Sequence, residues 1–78
     1  KPMAVEDQVL MLYALNKGHL KGIELSRIHN FQRDFIHYVD THAVHIKEEI
    51  EKTGDLSDEL AEKIEAVIAE VKEQYNYS

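Results

Sequence analysis

The feature that most constrains this chain is a segment near its start that is apolar on nearly every side of a helix. Between Ala4 and Asn16, apolar side chains go almost all the way round the helical cylinder: Val5, Val9, Leu10, Met11, Leu12, Tyr13, Ala14 and Leu15. A helix that is apolar all round is typical of a buried helix. Because the sequence has only 78 residues, it offers too few partners to cover this helix. We therefore expect missing neighbours, either an oligomer partner or further parts of the same polypeptide.

Within this segment, Leu10, Met11 and Leu15 are our candidate residues for contact with a partner. The longest apolar run, Val9 to Leu15, has seven residues, whereas a bilayer span needs roughly 20. The segment is therefore not a membrane span. The sequence contains no cysteine, so neither a disulfide nor a thiolate metal site compensates for the small core.

Apolar spacing of three and four residues predicts helices in the rest of the chain. One stripe runs from about residue 25 to 53 and ends at Gly54, which suits the left-handed position after a helix; its members are Ile28, Phe31, Phe35, Val39, His42, Ile46 and Ile50. Asp40 and Thr41 can each cap a new helix. We therefore favour two helices, over about 25–39 and 41–53, with one long helix as the alternative.

A second stripe predicts the last helix, over about 58–74, with Ser57 as its N-cap. Its members are Leu56, Leu60, Ile64, Val67, Ile68, Val71 and Tyr75. We expect the end, from Tyr75 to Ser78, to fray. With a first helix over about 4–16, the prediction is a single all-α segment covering residues 1–78. Its architecture is a small bundle of three to four helices.

The net charge is concentrated in the last part of the chain. Residues 46–78 hold ten of the fifteen acidic residues and four of the nine basic ones, so the whole net charge of −6 falls there. Such a surface repels phosphate backbones and anionic lipid, which argues against nucleic-acid binding. We interpret the acidic last helix as a solvated face, with a docking surface for a basic partner as the alternative.

Motifs for catalysis, nucleotide binding or metal binding are weak. The three glycines do not have the spacing of a phosphate loop, and no histidine stands near an activated serine. His42 and His45 are three residues apart, followed one turn later by Glu48 and Glu49. That spacing occurs in metal sites of helical bundles, but the last helix offers only glutamates on its solvent side. We expect ordinary surface or boundary histidines, and no catalytic, cofactor-binding or metal-binding residue.

Three short motifs resemble a known family. Pro2–Val9, Leu12–Ala14 and Gly18–Leu20 are similar to a signature in the C-terminal domain of the F-type ATP synthase alpha subunit. That signature reads Pro-Met-(Pro/Ala)-Val-Glu-x-Gln-Val, then (Ile/Leu)-Tyr-Ala, then Gly-Tyr-Leu. Leu56–Leu60, at the opening of the last helix, is similar as well, and the resemblance covers essentially the whole chain. His19 departs from it, because the family usually has tyrosine there.

The resemblance implies a structural role in the complex that makes ATP from ADP and phosphate with a proton gradient. It implies contacts with the rest of the alpha subunit, the neighbouring beta subunits and the central stalk. ATP, ADP and Mg would bind upstream of this segment, which would be the non-catalytic C-terminal part of a larger subunit. It also implies a peripheral complex on the cytoplasmic face of a bacterial membrane, or on the inner face of a mitochondrial or plastid membrane.

Two hypotheses remain beside this one. The first is a stand-alone helical adaptor that dimerises through Val5–Leu15. The second is a small helical metal protein that uses His42, His45 and nearby glutamates.

Overall fold

The computed structural model describes residues 3–77. It contains four α-helices and a short 3-10 turn over Leu25–Arg27; the helices are α1 Val5–Asn16, α2 Ile28–His42, α3 Val44–Thr53 and α4 Asp58–Gln74. No strand occurs within residues 3–77, so the prediction of a small all-α bundle is confirmed.

One core joins the helices, and its largest fully buried side chains come from all four. The predicted stripes supply most of it, with Phe31, Phe35 and Val39 from α2 and Ile46 and Ile50 from α3. From α4, the buried residues are Leu60, Ile64, Val67, Ile68 and Val71. The bundle is thus held together by the apolar faces that the spacing predicts.

The stretch predicted as helical over residues 25–53 contains the 3-10 turn and then two α-helices, and the break between the helices lies at Ala43. Ala43 has φ −146° and ψ 38°, outside the helical region, and its side chain is only 5% exposed. The small side chain allows the turn between α2 and α3 to sit against the core. Asp40 and Thr41 do not cap α3, because both lie inside α2 and the Thr41 hydroxyl donates to the carbonyl of His37 at 2.9 Å. The boundary is therefore later than the predicted one.

The first and last helices end in the same way, with a left-handed residue followed by a backbone bond to the last turn. After α1, Gly18 has φ 81°, and the His19 N–H donates to the Ala14 carbonyl at 2.9 Å. After α4, Asn76 has φ 61°, and the Tyr77 N–H donates to the Lys72 carbonyl at 2.8 Å. Both are Schellman-type ends, which satisfy otherwise unpaired helix carbonyls.

The expected fraying of the C-terminal end is wrong for residues 75–77. Tyr77 is only 4% exposed, and its ring meets Phe31 edge-on with 5.4 Å between ring centroids. The end is thus part of the core, while Ser78 lies outside the described residues. None of the helices within residues 3–77 is long and apolar enough to cross a membrane.

Candidate functional site

One side of α1 is left uncovered by the rest of residues 3–77. Val5, Leu12 and Leu15 are 68%, 56% and 57% exposed, and we call Leu12 and Leu15 the apolar face. Leu12 and Leu15 also line an open cleft of about 320 Å³ together with Met11 and other neighbours. The observation agrees with the expectation that α1 lacks neighbours, because exposed apolar patches of this kind mark interaction surfaces.

The three candidate contact residues do not share one environment. Leu15 belongs to the apolar face and Met11 is half-buried beside it. Leu10 is fully buried in the core of the chain, so it has no surface to present to a partner and leaves the candidate set. Leu12 takes its place; a helix with apolar residues all round gives no periodicity by which the inner side can be told from the outer side.

The inner side of α1 is fastened to α4 through Glu65. The Tyr13 hydroxyl donates to Glu65 Oε2 at 2.6 Å, and His19 Nε2 lies 2.9 Å from Glu65 Oε1. Burial, together with the bond to Glu65, raises the pKa of Tyr13 to about 12. The same hydrogen bond from Tyr13, followed by that from His19, lowers the pKa of Glu65 below its ordinary value. A charged carboxylate therefore holds the loop after α1 against α4.

A lysine on α3 links that helix to both α1 and α2. Lys47 Nζ on α3 lies 2.6 Å from Asp40 Oδ1 on α2 and 2.5 Å from Asp7 Oδ1 on α1. Burial by itself lowers the pKa of Lys47, but the contacts with Asp40 and Asp7 outweigh it and raise that pKa. The Lys47 side chain is only 17% exposed, so this arrangement is shielded from solvent more than an ordinary surface ion pair.

A third polar contact secures the C-terminal end. The Tyr77 hydroxyl donates to Asp34 Oδ2 at 2.6 Å, and the Arg27 guanidinium lies 4.4 Å from the centre of the Tyr77 ring. Burial, and then the bond to Asp34, raises the pKa of Tyr77. Together, the three contacts hold the four helices and the C-terminal end in place relative to one another.

The two histidines of the metal hypothesis lie on different helices. His42 is the last residue of α2 and His45 is in α3, so the break at Ala43 separates them. His42 stacks on Tyr38 with 4.6 Å between ring centroids, and its Nδ1 lies 2.7 Å from the Thr41 hydroxyl. Their separation of three residues, on which the metal hypothesis depends, therefore does not place them on one helix face. Over residues 3–77, no group of three or more His, Cys, Asp or Glu side chains is arranged to hold a metal ion.

Glu65 anchors α1, although the glutamates of the last helix were expected on its solvent side. Its partners Tyr13 and His19 are 52 and 46 residues away along the chain. No local pattern indicates a contact over that distance. The one available signal is that His19 stands where the related signature has tyrosine, at a position that the Schellman end turns back towards the bundle.

The family model described as ATP synthase alpha/beta chain, C terminal domain, matches residues 1–71. The chain belongs to this family. Within the domain, the shared signature around Val5–Val9 forms the start of α1, and Gly18 of the next signature provides the left-handed end of that helix.

Individual relatives carry the name ATP synthase subunit alpha. The one from Clostridium kluyveri is 42% identical over 72 residues, covering 92% of this chain and 14% of its own length. Those from Staphylococcus epidermidis and Staphylococcus aureus are 39% and 40% identical over 99% and 100% of this chain. This chain spans only 14–15% of the length of these relatives. No solved structure matches it.

Proposed function

We propose that this ATP synthase alpha/beta C-terminal domain is a non-catalytic packing element of an alpha subunit. In this role it packs within the hexamer of alternating alpha and beta subunits, around the central stalk. The complex makes ATP from ADP and phosphate with a proton gradient. The names of the bacterial relatives support the alpha assignment.

The observation that carries the proposal is the apolar face of α1. The chain buries Leu10, Tyr13 and Ala14 on the inner side of α1 but leaves the outer side largely exposed. Three polar contacts hold the remainder of the bundle in place, so the apolar face is presented on an ordered support. Such a surface serves packing against a neighbour better than it serves chemistry.

We place the nucleotide and Mg contacts of the complex upstream of this domain, and the complex as a peripheral assembly on the cytoplasmic face of a bacterial membrane. Accordingly, Mg-ATP titrated into this chain should give no saturable heat. Binding with micromolar affinity would contradict the non-catalytic role.

The packing role is tested in the full-length subunit co-expressed with its beta subunit. Leu12→Glu together with Leu15→Glu should reduce the yield of assembled hexamer on native mass spectrometry, because both changes place a charge in a buried contact. The ATPase activity of each assembled hexamer should stay unchanged. Ala66→Glu together with Ala69→Glu, at exposed positions of α4, is the matched control and should assemble normally. Normal assembly of the Leu12 and Leu15 variant would refute the role of the apolar face.

The same face keeps the adaptor alternative open, because a second copy of the chain can also cover it. Sedimentation of the chain over a wide concentration range separates the two. A dimer that is lost with Leu12→Glu favours the adaptor, whereas a monomer at all concentrations favours the subunit role.

A further inference from the structure

We propose that a second surface, the cleft between α1 and the turn from α3 to α4, docks a basic amphipathic helix of a partner protein. The cleft has a volume of about 490 Å³ and is open to solvent. We call it the acid-rimmed cleft. The inference rests on the shape and charge of this cleft and does not depend on the packing role of Leu12 and Leu15, which line a different surface.

The floor of the acid-rimmed cleft is apolar. Val5 and Val9 lie one turn apart on α1, and Ile50 and Leu56 face them from the end of α3 and the turn that follows. Ile50 is nearly buried at 4% exposure, Val9 and Leu56 are half-buried, and Val5 is 68% exposed. The floor therefore offers an apolar surface that an incoming apolar side chain would cover.

The rim is acidic and, among residues 3–77, includes no cation. Glu6, Glu51 and Asp55 line the cleft, and none of them forms an ion pair with another residue in the range 3–77. Asp55 Oδ1 accepts the Leu56 N–H at 2.8 Å, which leaves its second oxygen available. A cleft lined by apolar side chains and three carboxylates fits an apolar side chain flanked by lysine or arginine.

The helical form of the partner follows from the walls of the cleft. Residues 3–77 contain no strand, so they present no sheet edge to which an extended peptide could be added. A groove between helices accepts a row of apolar side chains spaced three and four residues apart, as in helix-in-groove recognition. Basic residues beside that row would meet the three carboxylates.

Charge also favours a basic helix over a second copy of the chain as the occupant of the cleft. Each copy has a net charge of −6, all of it in residues 46–78, which include two of the three rim acids. A second copy would bring acidic surface against an acidic rim, whereas a basic helix is attracted from a distance. The cleft therefore selects a cationic partner over self-association.

The test uses the full chain and a fluorescent synthetic peptide of leucine, lysine and alanine patterned as an amphipathic helix. We expect saturable binding by anisotropy, weakening as salt rises because the rim charges are screened. Val5→Lys should weaken binding about tenfold by placing a charge on the apolar floor. Leu25→Lys is the matched control: Leu25 is 86% exposed, lies outside the cleft and gains the same charge.

A second pair of variants isolates the rim. Neutralising the rim with Glu6→Gln, Glu51→Gln and Asp55→Asn should weaken binding about fivefold, as expected for exposed charge pairs. Neutralising three exposed acids of α4 (Glu62→Gln, Glu70→Gln and Glu73→Gln) removes the same charge outside the cleft and should change binding less than twofold. Both triples are surface changes, and circular dichroism should give the wild-type helix content for each.

Several outcomes would overturn the proposal. If the two triple variants weaken peptide binding equally, the peptide is attracted to net charge alone. Equal binding of a peptide with the same composition in scrambled order would lead to the same conclusion. An equal effect of Val5→Lys and Leu25→Lys would show that the apolar floor does not contribute to binding. A dimer of the chain that disappears only with Val5→Lys would make a second copy the occupant. Each result leaves the assembly test of Leu12 and Leu15 unaffected.

Discussion

Helices α4 and α1 lie in the same bundle but differ in how completely their apolar surface is buried and in whether their first turn is capped. α4 is amphipathic, places its apolar stripe in the core and begins with a side-chain cap, since the Ser57 hydroxyl accepts the Leu60 N–H at 3.1 Å. α1 buries one side, leaves Leu12 and Leu15 more than half exposed, and begins at Ala4 with no side-chain cap.

The difference shows that α4 is stabilised by contacts within the chain, whereas α1 retains apolar surface that the chain does not use. Part of α1 is nevertheless well held, through Tyr13 and the Schellman end at Gly18. The two helices therefore differ in the apolar surface that they leave exposed, and not in whether they are held in place. Substitutions that act on the buried face should be costly in the isolated chain, and those on the apolar face should be nearly silent there.

The largest expected effect compares one leucine from each helix. Leu60→Ala removes a fully buried side chain and should lower the free energy of unfolding by about 2–5 kcal/mol, enough to unfold much of a small domain. Leu12→Ala, at a residue 56% exposed, should change it by less than about 0.5 kcal/mol. Urea denaturation followed by circular dichroism measures both. Equal losses would mean that Leu12 is packed in solution and would break the comparison.

A smaller effect is expected at the hydrogen bond between the two helices. Tyr13→Phe keeps the ring but removes the donor to Glu65, and should cost about 1 kcal/mol. The same denaturation experiment measures it. Glu65→Ala removes the acceptor of the same bond, and the double variant should cost less than the sum of the two single changes. Strict additivity would show that the contact does not form.

The raised pKa of Tyr13 predicts an alkaline limit to stability. The phenol has an ordinary pKa of 10.0 in the unfolded chain and about 12 in the folded one. A raised folded pKa means that the contribution of Tyr13 is fully present below pH 10 and is lost as the pH rises to about 12. Urea melts between pH 9 and 12, compared with those of Tyr13→Phe, should show a steeper decline for the unchanged chain. Parallel declines would contradict the shift.

The smallest effects concern the helix starts. Ser57→Ala should cost about 1 kcal/mol, because it removes the side-chain cap of α4. Ala4→Ser should stabilise the chain by about 0.5 kcal/mol, because it gives α1 the cap that it lacks. Thermal melts compare the two changes. If Ala4→Ser stabilises the chain as much as Ser57→Ala destabilises it, the missing cap of α1 limits the stability of the chain more than the uncovered face of α1 does.

The sequence predicted those parts of the fold that depend on local chemistry. Ser57 caps α4 and Gly54 ends α3 with φ 68°, both as expected. The break at Ala43 was placed too early, because Asp40 and Thr41 have capping side chains while the turn depends on a small residue fitting the core. The order of the C-terminal end was missed because Tyr77 is held by Phe31 and Asp34, both distant in sequence.

For the candidate site, the apolar pattern all round the helix and the short chain predicted that α1 would be incompletely covered, but not which side. Residues that are apolar all round a helix do not specify an inner face; long-range partners such as Glu65 do. The identity of the exposed residues therefore required the packed structure. The acid-rimmed cleft could likewise not be predicted from the sequence, because its acids come from α1, α3 and the turn after α3.

In the proposed role, a neighbour in the assembled ATP synthase covers the apolar face. Because the chain has no cysteine, Leu12→Cys and Leu15→Cys introduce single thiols whose labelling rate with a maleimide reports exposure. Both should label quickly in this chain and at least tenfold more slowly in the assembled complex, prepared in a cysteine-free background. Ala66→Cys, on the exposed side of α4, corrects for general effects of assembly on labelling. If the thiols at positions 12 and 15 label as fast in the complex as in the chain, the claim is wrong.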